Sequence, residues 1–463
     1  MTEVKPEYSC TGMCLFGKCP FDECIKYKSK AHKMSEEQAG KMHILTDTSR
    51  DLPKADGEGY ALAIDIGTTT VVAYLCDMKD SKIITTVSRI NAQVPFGLDV
   101  ISRIKYCMDH DDGLEAQHEA VASQLNAFLD IAEKAGYGRT DITRVVIAGN
   151  TTMEHLFTKE DPTGMGVIPF APASLFGRHY APQQLGINLD TDIYIAPCVS
   201  AFVGGDITAA VLASGMHEKE GLSLLIDIGT NGEIVLGGKD GFFTTSTAAG
   251  PAFEGAQIQF GSGGVAGAIN KVYPLQGKIA YDTINDEPAM GICGSGLIDA
   301  VAVMLDTGVL DETGRIVKEH PLYSEYKGEP AFAIEEGKIY ITQKDIRMLQ
   351  PAKSAIAAGV RTLLKQAGKT VDDIQTVYLA GGFGNYMDRE SALKIGLLPP
   401  LPLERIVPIG NAAGTGALLA ALRKDNIEQI MRIRDMCTAV DLATDAYFME
   451  QYVEHMYFGD IES

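Results

Sequence analysis

Leu62–Leu75 reads LAIDIGTTTVVAYL, and Leu224–Gly237 reads LLIDIGTNGEIVLG. Each is an apolar strand, a tight turn of Gly with small hydroxyl or amide residues, and a second apolar strand. Laid over each other without a gap, they pair Ile64-Asp65-Ile66-Gly67-Thr68-Thr69-Thr70 with Ile226-Asp227-Ile228-Gly229-Thr230-Asn231-Gly232. Internal repetition of this kind predicts two similar halves facing a shared ligand. A turn of Gly and Thr offers backbone N–H groups and hydroxyls to phosphate oxygens. A carboxylate at each strand end suits a hydrated Mg2+, which takes few carboxylates and keeps its waters. The pair therefore predicts an ATP-holding cleft between duplicated lobes.

Reading outward, both halves repeat one order of elements. In the first, the hairpin is followed by a strand near Lys82–Arg89, a loop with Pro95 and Gly97, and a helix opening near Asp99. Leu114–Ala135 has a helical apolar face, Arg144–Gly149 is a buried strand, and Asn150-Thr151-Thr152 opens another helix. Ser200–Ser214 is a glycine-bearing turn into an apolar helix. In the second half the hairpin Leu222–Gly238 is followed by Gly-rich stretches at 248–255 and 291–296 and a long amphipathic helix, Lys344–Lys365. Val377–Ala380 then runs into Gly381-Gly382-Phe383-Gly384-Asn385, and Ile406–Ile409 into Gly410-Asn411 and an Ala/Leu helix. Strands that end in Gly-rich turns opening helices make an α/β architecture with ligands at the strand ends. Asn426–Ser463 reads as a helical appendage with Leu442, Phe448, Tyr452 and Met456 on its apolar face.

The 463 residues allow two or three domains, and 46 % apolar with 22 % charged residues is ordinary globular composition. A net charge of −21 argues against a nucleic-acid binder and against a protein of anionic membrane surfaces. No apolar run is long enough to span a bilayer, and the first residues lack a signal-peptide pattern, so a cytoplasmic location is expected.

Four of the nine cysteines, Cys10, Cys14, Cys19 and Cys24, crowd into the first 24 residues. Gly12, Gly17 and Pro20 oppose a helix there, and a reducing cytoplasm disfavours disulfides. A metal-holding loop remains. Structural zinc sites pair their cysteines as knuckles around an insert, which this even spacing lacks. An iron–sulfur loop fits better, although the spacing matches no standard ferredoxin; zinc and no metal stay open. Residues 31–59 read as a linker, with a first half at 60–215, a second at 216–425 and the appendage after it. The other five cysteines read as buried small hydrophobes.

A single Gly-rich turn is more often steric than functional. The order of all of them carries the weight. It resembles the acetate and sugar kinase/Hsp70/actin (ASKHA) superfamily over about Tyr60 to Leu422, which implies a duplicated ribonuclease H-like ATPase fold. Within it, GNTTMEHL, DIGTNGEIVL, AGPAFEGA, GICGSGLID and LAGGFGNYM resemble the reductive activators of corrinoid-dependent proteins. The resemblance implies an ATP-dependent transfer of one electron from an iron–sulfur cluster to a Co(II) corrinoid protein, which regenerates Co(I). That corrinoid protein could be methyltransferase-linked or an iron–sulfur protein, and an external low-potential donor would resupply the electron. Assembly is open, a homodimer among the options.

The resemblance makes Asp65 and Asp227 ligands of Mg2+ through water. It makes Gly67, Thr68, Thr69, Thr70, Gly229, Thr230 and Asn231 the phosphate cradle. Gly381, Gly382 and Phe383 would approach the adenosine, with Gly410 and Asn411 behind them. Asp206 would orient the attacking water, unless it only caps its helix. Glu233 is the second candidate for that role and Glu254 a weaker third. Cys10, Cys14, Cys19 and Cys24 would hold the cluster, 4Fe–4S favoured and 2Fe–2S the alternative. Relatives place a ferredoxin domain and a middle domain ahead of the ATPase, and about fifty residues leave room for neither. Two rivals are expected to behave differently: a small-molecule kinase would not need the cysteines, and an ATP-dependent clamp would hold zinc.

Overall fold

The computed structural model of the protein describes residues 52–229 and 231–459; Cys10, Cys14, Cys19, Cys24 and Thr230 lie outside the described residues. Two compact units are present. One is built from residues 52–213 with Ala413–Asp435, the other from Ser214–Ala412 with 436–459.

In the first unit, β1 (Tyr60–Ile66), β2 (Thr70–Asp77), β3 (Lys82–Ile90), β4 (Ile142–Gly149), β5 (Phe176–Tyr180) and β6 (Ile193–Pro197) form one sheet, ordered β3-β2-β1-β4-β6-β5. β1 to β3 form an antiparallel meander, and β4 and β6 continue the sheet parallel to β1. Strands covered on both faces need an unbroken apolar run rather than alternation, and Ala61–Ile64 is buried throughout. The helices are α1 (Val100–Asp109), α2 (Gly113–Lys134), α3 (Thr151–Thr158) and α4 (Gly205–Ser214). α1 starts where the sequence predicts, because Asp99 accepts from the Ser102 N–H while the Ser102 hydroxyl accepts from the Asp99 N–H. From α2, Val121, Leu125, Phe128 and Leu129 pack with Leu62, Ile64 and Leu75 in one core.

The second unit holds β7 (Leu222–Ile228), β8 (Gly232–Gly238), β9 (Gly241–Thr247), β16 (Ile374–Ala380), β17 (Ile406–Pro408) and β18 (Cys437–Ala439) in one sheet. Its order β9-β8-β7-β16-β17 repeats β3-β2-β1-β4-β6, and β18 is added at the edge. Each unit is thus a ribonuclease H-like sheet. Between β9 and β16 lie six strands with no counterpart in the first unit: β10 (Ala268–Leu275), β11 (Lys278–Thr283), β12 (Gly291–Ile292), β13 (Tyr323–Tyr326), β14 (Glu329–Glu335) and β15 (Ile339–Thr342). They form two three-stranded sheets. The helices here are α5 (Gly294–Thr307), α6 (Gln343–Ala367), α7 (Gly381–Tyr386) and α8 (Arg389–Lys394).

The chain then crosses back. α9 (Ala412–Leu422) and most of α10 (Lys424–Met436) belong to the first unit. There a Cβ on Gly416 would sit 1.9 Å from the Ala209 carbonyl of α4, so only glycine lets these two helices cross so closely. β18 and α11 (Ala446–Glu454) return to the second unit. The expected apolar face is corrected here: Leu442 precedes α11, and β18 interrupts the helical run. The end of the chain is anchored on α6 instead. Fully buried Lys353 donates to the His455 carbonyl at 2.6 Å, and Gln350 to the Met456 carbonyl at 2.6 Å. Burial without a carboxylate pushes the Lys353 pKa down to about 7.

Candidate functional site

The first hairpin ends β1 with half-buried Asp65, which lies opposite Val72 on β2. Ile66 pairs with Val71, so four residues, Gly67 to Thr70, make the turn. It closes with the Gly67 N–H donating to the Thr70 carbonyl at 2.9 Å. The turn's other carbonyls are taken from inside the unit. The Asn91 side chain donates to the Gly67 carbonyl at 2.7 Å, Arg103 to Thr68 at 2.6 Å, and the Asn91 backbone N–H to Thr69 at 2.9 Å. The Asn150 amide, which caps α3, donates to the Thr68 hydroxyl at 2.9 Å. Carbonyl and N–H of a trans peptide point opposite ways. Three carbonyls drawn inward therefore turn the N–H groups of Thr68 and Thr69 outward, the arrangement that holds anions.

The second hairpin is one residue shorter. Ile228 pairs with Gly232, and the Gly229 N–H donates to the Asn231 carbonyl at 2.9 Å. Side chains alternate across a sheet, so this shift changes which face each one takes. Glu233, laid over Val71 in the ungapped overlay, instead stands opposite Asp227, where the first hairpin has Val72. Two carboxylates thus share one face at the end of β7. Glu233 also accepts from the Ser246 hydroxyl of β9 at 3.3 Å. Burial pushes the Asp227 pKa up to about 6.

Around Asp227 the predicted glycines converge. Gly381 has φ +81°, and a Cβ there would lie 2.6 Å from Asp227 Oδ1, so glycine is required for both backbone and space. Its N–H donates to the Gly410 carbonyl at 3.0 Å, which brings the ends of β16 and β17 together. Gly382 is exposed beside it. Phe383 follows in α7. Its ring stacks at a tilt on Phe253, centroids 5.0 Å apart, and closes on Gly294 at the start of α5. It is partly buried against the core rather than presented as a free platform. Glu254 ends the short turn Pro251–Glu254. Gly294 and Gly296 are packing glycines, since a Cβ would meet the carbonyls of Phe253 at 1.9 Å and Ile269 at 2.3 Å.

Asp206 lies in the first turn of α4 and accepts from the Ile207 N–H at 2.8 Å. Behind it is a buried acid that sequence reasoning missed. Glu154 of α3 is fully buried, and the Cys198 thiol donates to its Oε2 at 3.0 Å. Burial holds the Glu154 pKa well above the carboxylate range, and the Asp206 charge adds to that push. Burial thus favours the neutral form of Glu154. Its signal in the sequence is a glutamate on the inward side of GNTTMEHL. Arg103 and Asn91 were missed as well; Arg103 shares the buried face of α1 with Val100 and Ile104, where a charge is out of place.

Among the described residues no group of three or more His, Cys, Asp or Glu could hold a metal alone. Mg2+ takes one or two carboxylates and completes its shell with water and phosphate, and Asp227 with Glu233 is a pair that could hold it. The described cysteines are unpaired. Burial raises the thiol pKa of Cys76 to about 12, Cys107 to about 11 and Cys437 to about 12, which favours the protonated thiols. No helix among the described residues is long and apolar enough to cross a membrane.

Comparison with known proteins follows the same division. A model of the C-terminal, ASKHA domain of RACo matches residues 221–462, and one of the RACo middle region matches 60–219. The expectation of a missing middle domain is thereby corrected. The middle region is the first repeat itself, whose sheet order makes it look like half of an ATPase. The corrinoid activation enzyme RamQ of Eubacterium limosum is 37 % identical over 447 residues, covering 91 % of this chain and 74 % of its own. A Methanosarcina barkeri reductase of the Co(II) methylated amine-specific corrinoid protein is 26 % identical over 435 residues, covering 85 % and 76 %. A solved reductive activator for corrinoid, iron–sulfur protein superposes with TM-score 0.78 at 38 % identity, over 87 % of this chain and 67 % of that one.

Proposed function

The chain belongs to the family of reductive activators of corrinoid-dependent proteins, and we propose that ATP drives its activity through the two hairpins. It is a corrinoid-protein activase: it returns the inactive Co(II) corrinoid of a partner protein to Co(I) by one-electron reduction. The observation that carries this is the 37 % identity to a corrinoid activation enzyme across 91 % of the chain, which spans both units.

Gly67–Thr70, through the outward N–H groups of Thr68 and Thr69, and Gly229–Asn231 bind phosphate oxygens. Asp227 would hold Mg2+ through its waters, with Glu233 beside it and Asp65 in the matching place of the first unit. A bound cation stabilises the ionised form of Asp227, which burial alone disfavours. Gly381 and Gly410 let the nucleotide approach the backbone where a side chain would block it. Asp206 orients the hydrolytic water, with Glu233 the alternative. Cys10, Cys14, Cys19 and Cys24 would hold an iron–sulfur cluster, 4Fe–4S favoured, which would supply the electron. ATP can favour electron delivery only by binding the competent state more tightly than the resting one.

The test is anaerobic. Protein purified without oxygen should contain iron and sulfide near four per chain, and with a reductant and ATP it should abolish the Co(II) electron paramagnetic resonance signal of a corrinoid protein. Stoichiometric zinc without iron would defeat the assignment. Cys14→Ala should remove reduction and leave ATP binding within about twofold; loss of both would show that the cysteine segment and the ATPase fold as one.

A further inference from the structure

Arg103 is the largest fully buried side chain among the described residues, and none of the partners its guanidinium holds is a carboxylate. Its nearest acidic influence is Asp99, already committed to capping α1. Its partners are neutral. Nε donates to the Gly97 carbonyl at 3.0 Å, one terminal nitrogen approaches the Gln93 amide oxygen at 3.4 Å and Met153 sulfur at 2.9 Å, and the other donates to the Thr68 carbonyl at 2.6 Å. Gly97 lies tight against the start of α1: a Cβ there would meet the Ser102 hydroxyl at 2.4 Å and the Arg103 backbone nitrogen at 2.8 Å.

A buried charge without a counter-ion is costly, and a chain that only needed to brace a turn could do so with a neutral amide, as Asn91 does one residue away. The feature that singles out Arg103 is its position directly behind the outward N–H groups of Thr68 and Thr69. We propose that Arg103 is a positioning residue for phosphate: its fixed charge, delivered through the Thr68 peptide, makes the first hairpin the anion-anchoring one, and the bound polyphosphate is its missing counter-ion. Three features converge on this. The guanidinium fixes the Thr68 carbonyl inward, which turns the Thr69 N–H outward. It polarises that peptide in the same sense. And α3, capped by Asn150, presents its N-terminus to the same threonine through the hydrogen bond to the Thr68 hydroxyl. Burial lowers the Arg103 pKa to about 9, so the side chain stays charged at neutral pH. The second hairpin has two carboxylates in register at the corresponding strand end, which favours a cation there.

The proposal rests on the phosphate role of the first turn, and the test separates the two. The full chain is titrated calorimetrically with ATP and with inorganic tripolyphosphate at several salt concentrations, for the wild type and for Arg103→Met, Arg103→Lys and Thr69→Pro. Arg103→Met should weaken both ligands about tenfold and make the decline of affinity with salt shallower. Arg103→Lys keeps the charge and should stay within threefold despite a lower melting temperature. Affinity within threefold in folded Arg103→Met, or an unchanged salt slope, overturns the proposal, since a bracing residue would not alter that slope. If Arg103→Met does not fold, Arg103→Lys decides: a loss beyond threefold overturns the role of the charge, and retention supports it. Thr69→Pro removes an outward N–H. If it loses tripolyphosphate while Arg103→Met keeps it, the phosphate site stands and the Arg103 role falls. If it binds tripolyphosphate as the wild type does, the turn is no phosphate site and both fall.

Discussion

The two hairpins begin alike and end differently. IDIG is common to both, and the sheets that carry them have the same strand order. One turn has four residues, Gly67 to Thr70, held from behind by Asn91 and Arg103 and leading to Val72 opposite its aspartate. The other is a residue shorter and puts Glu233 opposite Asp227. Because side chains alternate, removing one residue converts a one-carboxylate, amide-rich turn into a two-carboxylate end. The two units share one scaffold and differ by one residue in turn length, and the proposed division of work, anion anchoring on one side and cation and water chemistry on the other, rests on that difference.

The largest effect that would break this division is expected at Asp227. Asp227→Asn should lower Mg-ATP turnover about 100-fold by removing a charged hydrogen-bond acceptor for the metal's waters. The same change should not destabilise the ligand-free protein. The Asp227 pKa is raised from 3.8 to about 6, so the folded state holds a proton that the unfolded state has lost between those values. Stability from this group is therefore full below pH about 4, falls as pH rises toward 6, and is flat above. Replacing the carboxylate with a neutral amide should thus raise the melting temperature at pH 7 by about 2–4 °C. Thermal melts from pH 4 to 8 check this: a variant that melts lower than the wild type at pH 7 would contradict the strained carboxylate.

A smaller effect should follow from Gly381→Ala, which puts a Cβ against Asp227 Oδ1 at positive φ. It should cost about 1–3 kcal/mol in denaturant melts and weaken Mg-ATP more than metal-free ATP; equal loss of both would place the damage in the fold alone. Glu233→Gln sharpens the comparison further, with turnover expected to fall about tenfold and ATP affinity nearly kept. An unchanged turnover would leave Asp206 to orient the water. The smallest effect belongs to Glu154→Gln. Burial favours its neutral carboxyl, so calorimetry should find stability changed by less than about 1 kcal/mol, whereas a larger fall would show that Glu154 is ionised.

Much of this was legible in the sequence, and what was not has definite physical causes. The hairpins, the Gly381 turn and the α4 and α9 helices announce themselves through local pattern: apolar runs, glycines and small residues at strand ends. The register difference does not, because an ungapped overlay of IDIGTTTV on IDIGTNGE looks better than the correct one, and only the hydrogen-bond ladder fixes which residues face each other. Arg103 meets Thr68 across 35 residues of sequence, and no window of local periodicity spans that. β10 to β15 were missed because short two-faced strands such as KIAYDT carry little periodic signal against turn-rich surroundings. Leu442 was placed on a helix face because the apolar spacing ran through β18 without a visible break.

The central claim is that the carboxylate end of the second hairpin couples nucleotide to electron delivery. It is tested most directly by following the Co(II) resonance of a corrinoid protein mixed anaerobically with reduced activator, with and without Mg-ATP, for the wild type and Asp227→Asn. The account predicts loss of Co(II) only with wild type and Mg-ATP together, while the variant stays folded and its cluster stays reduced. Reduction at the wild-type rate by Asp227→Asn, or by the wild type without ATP, would contradict it.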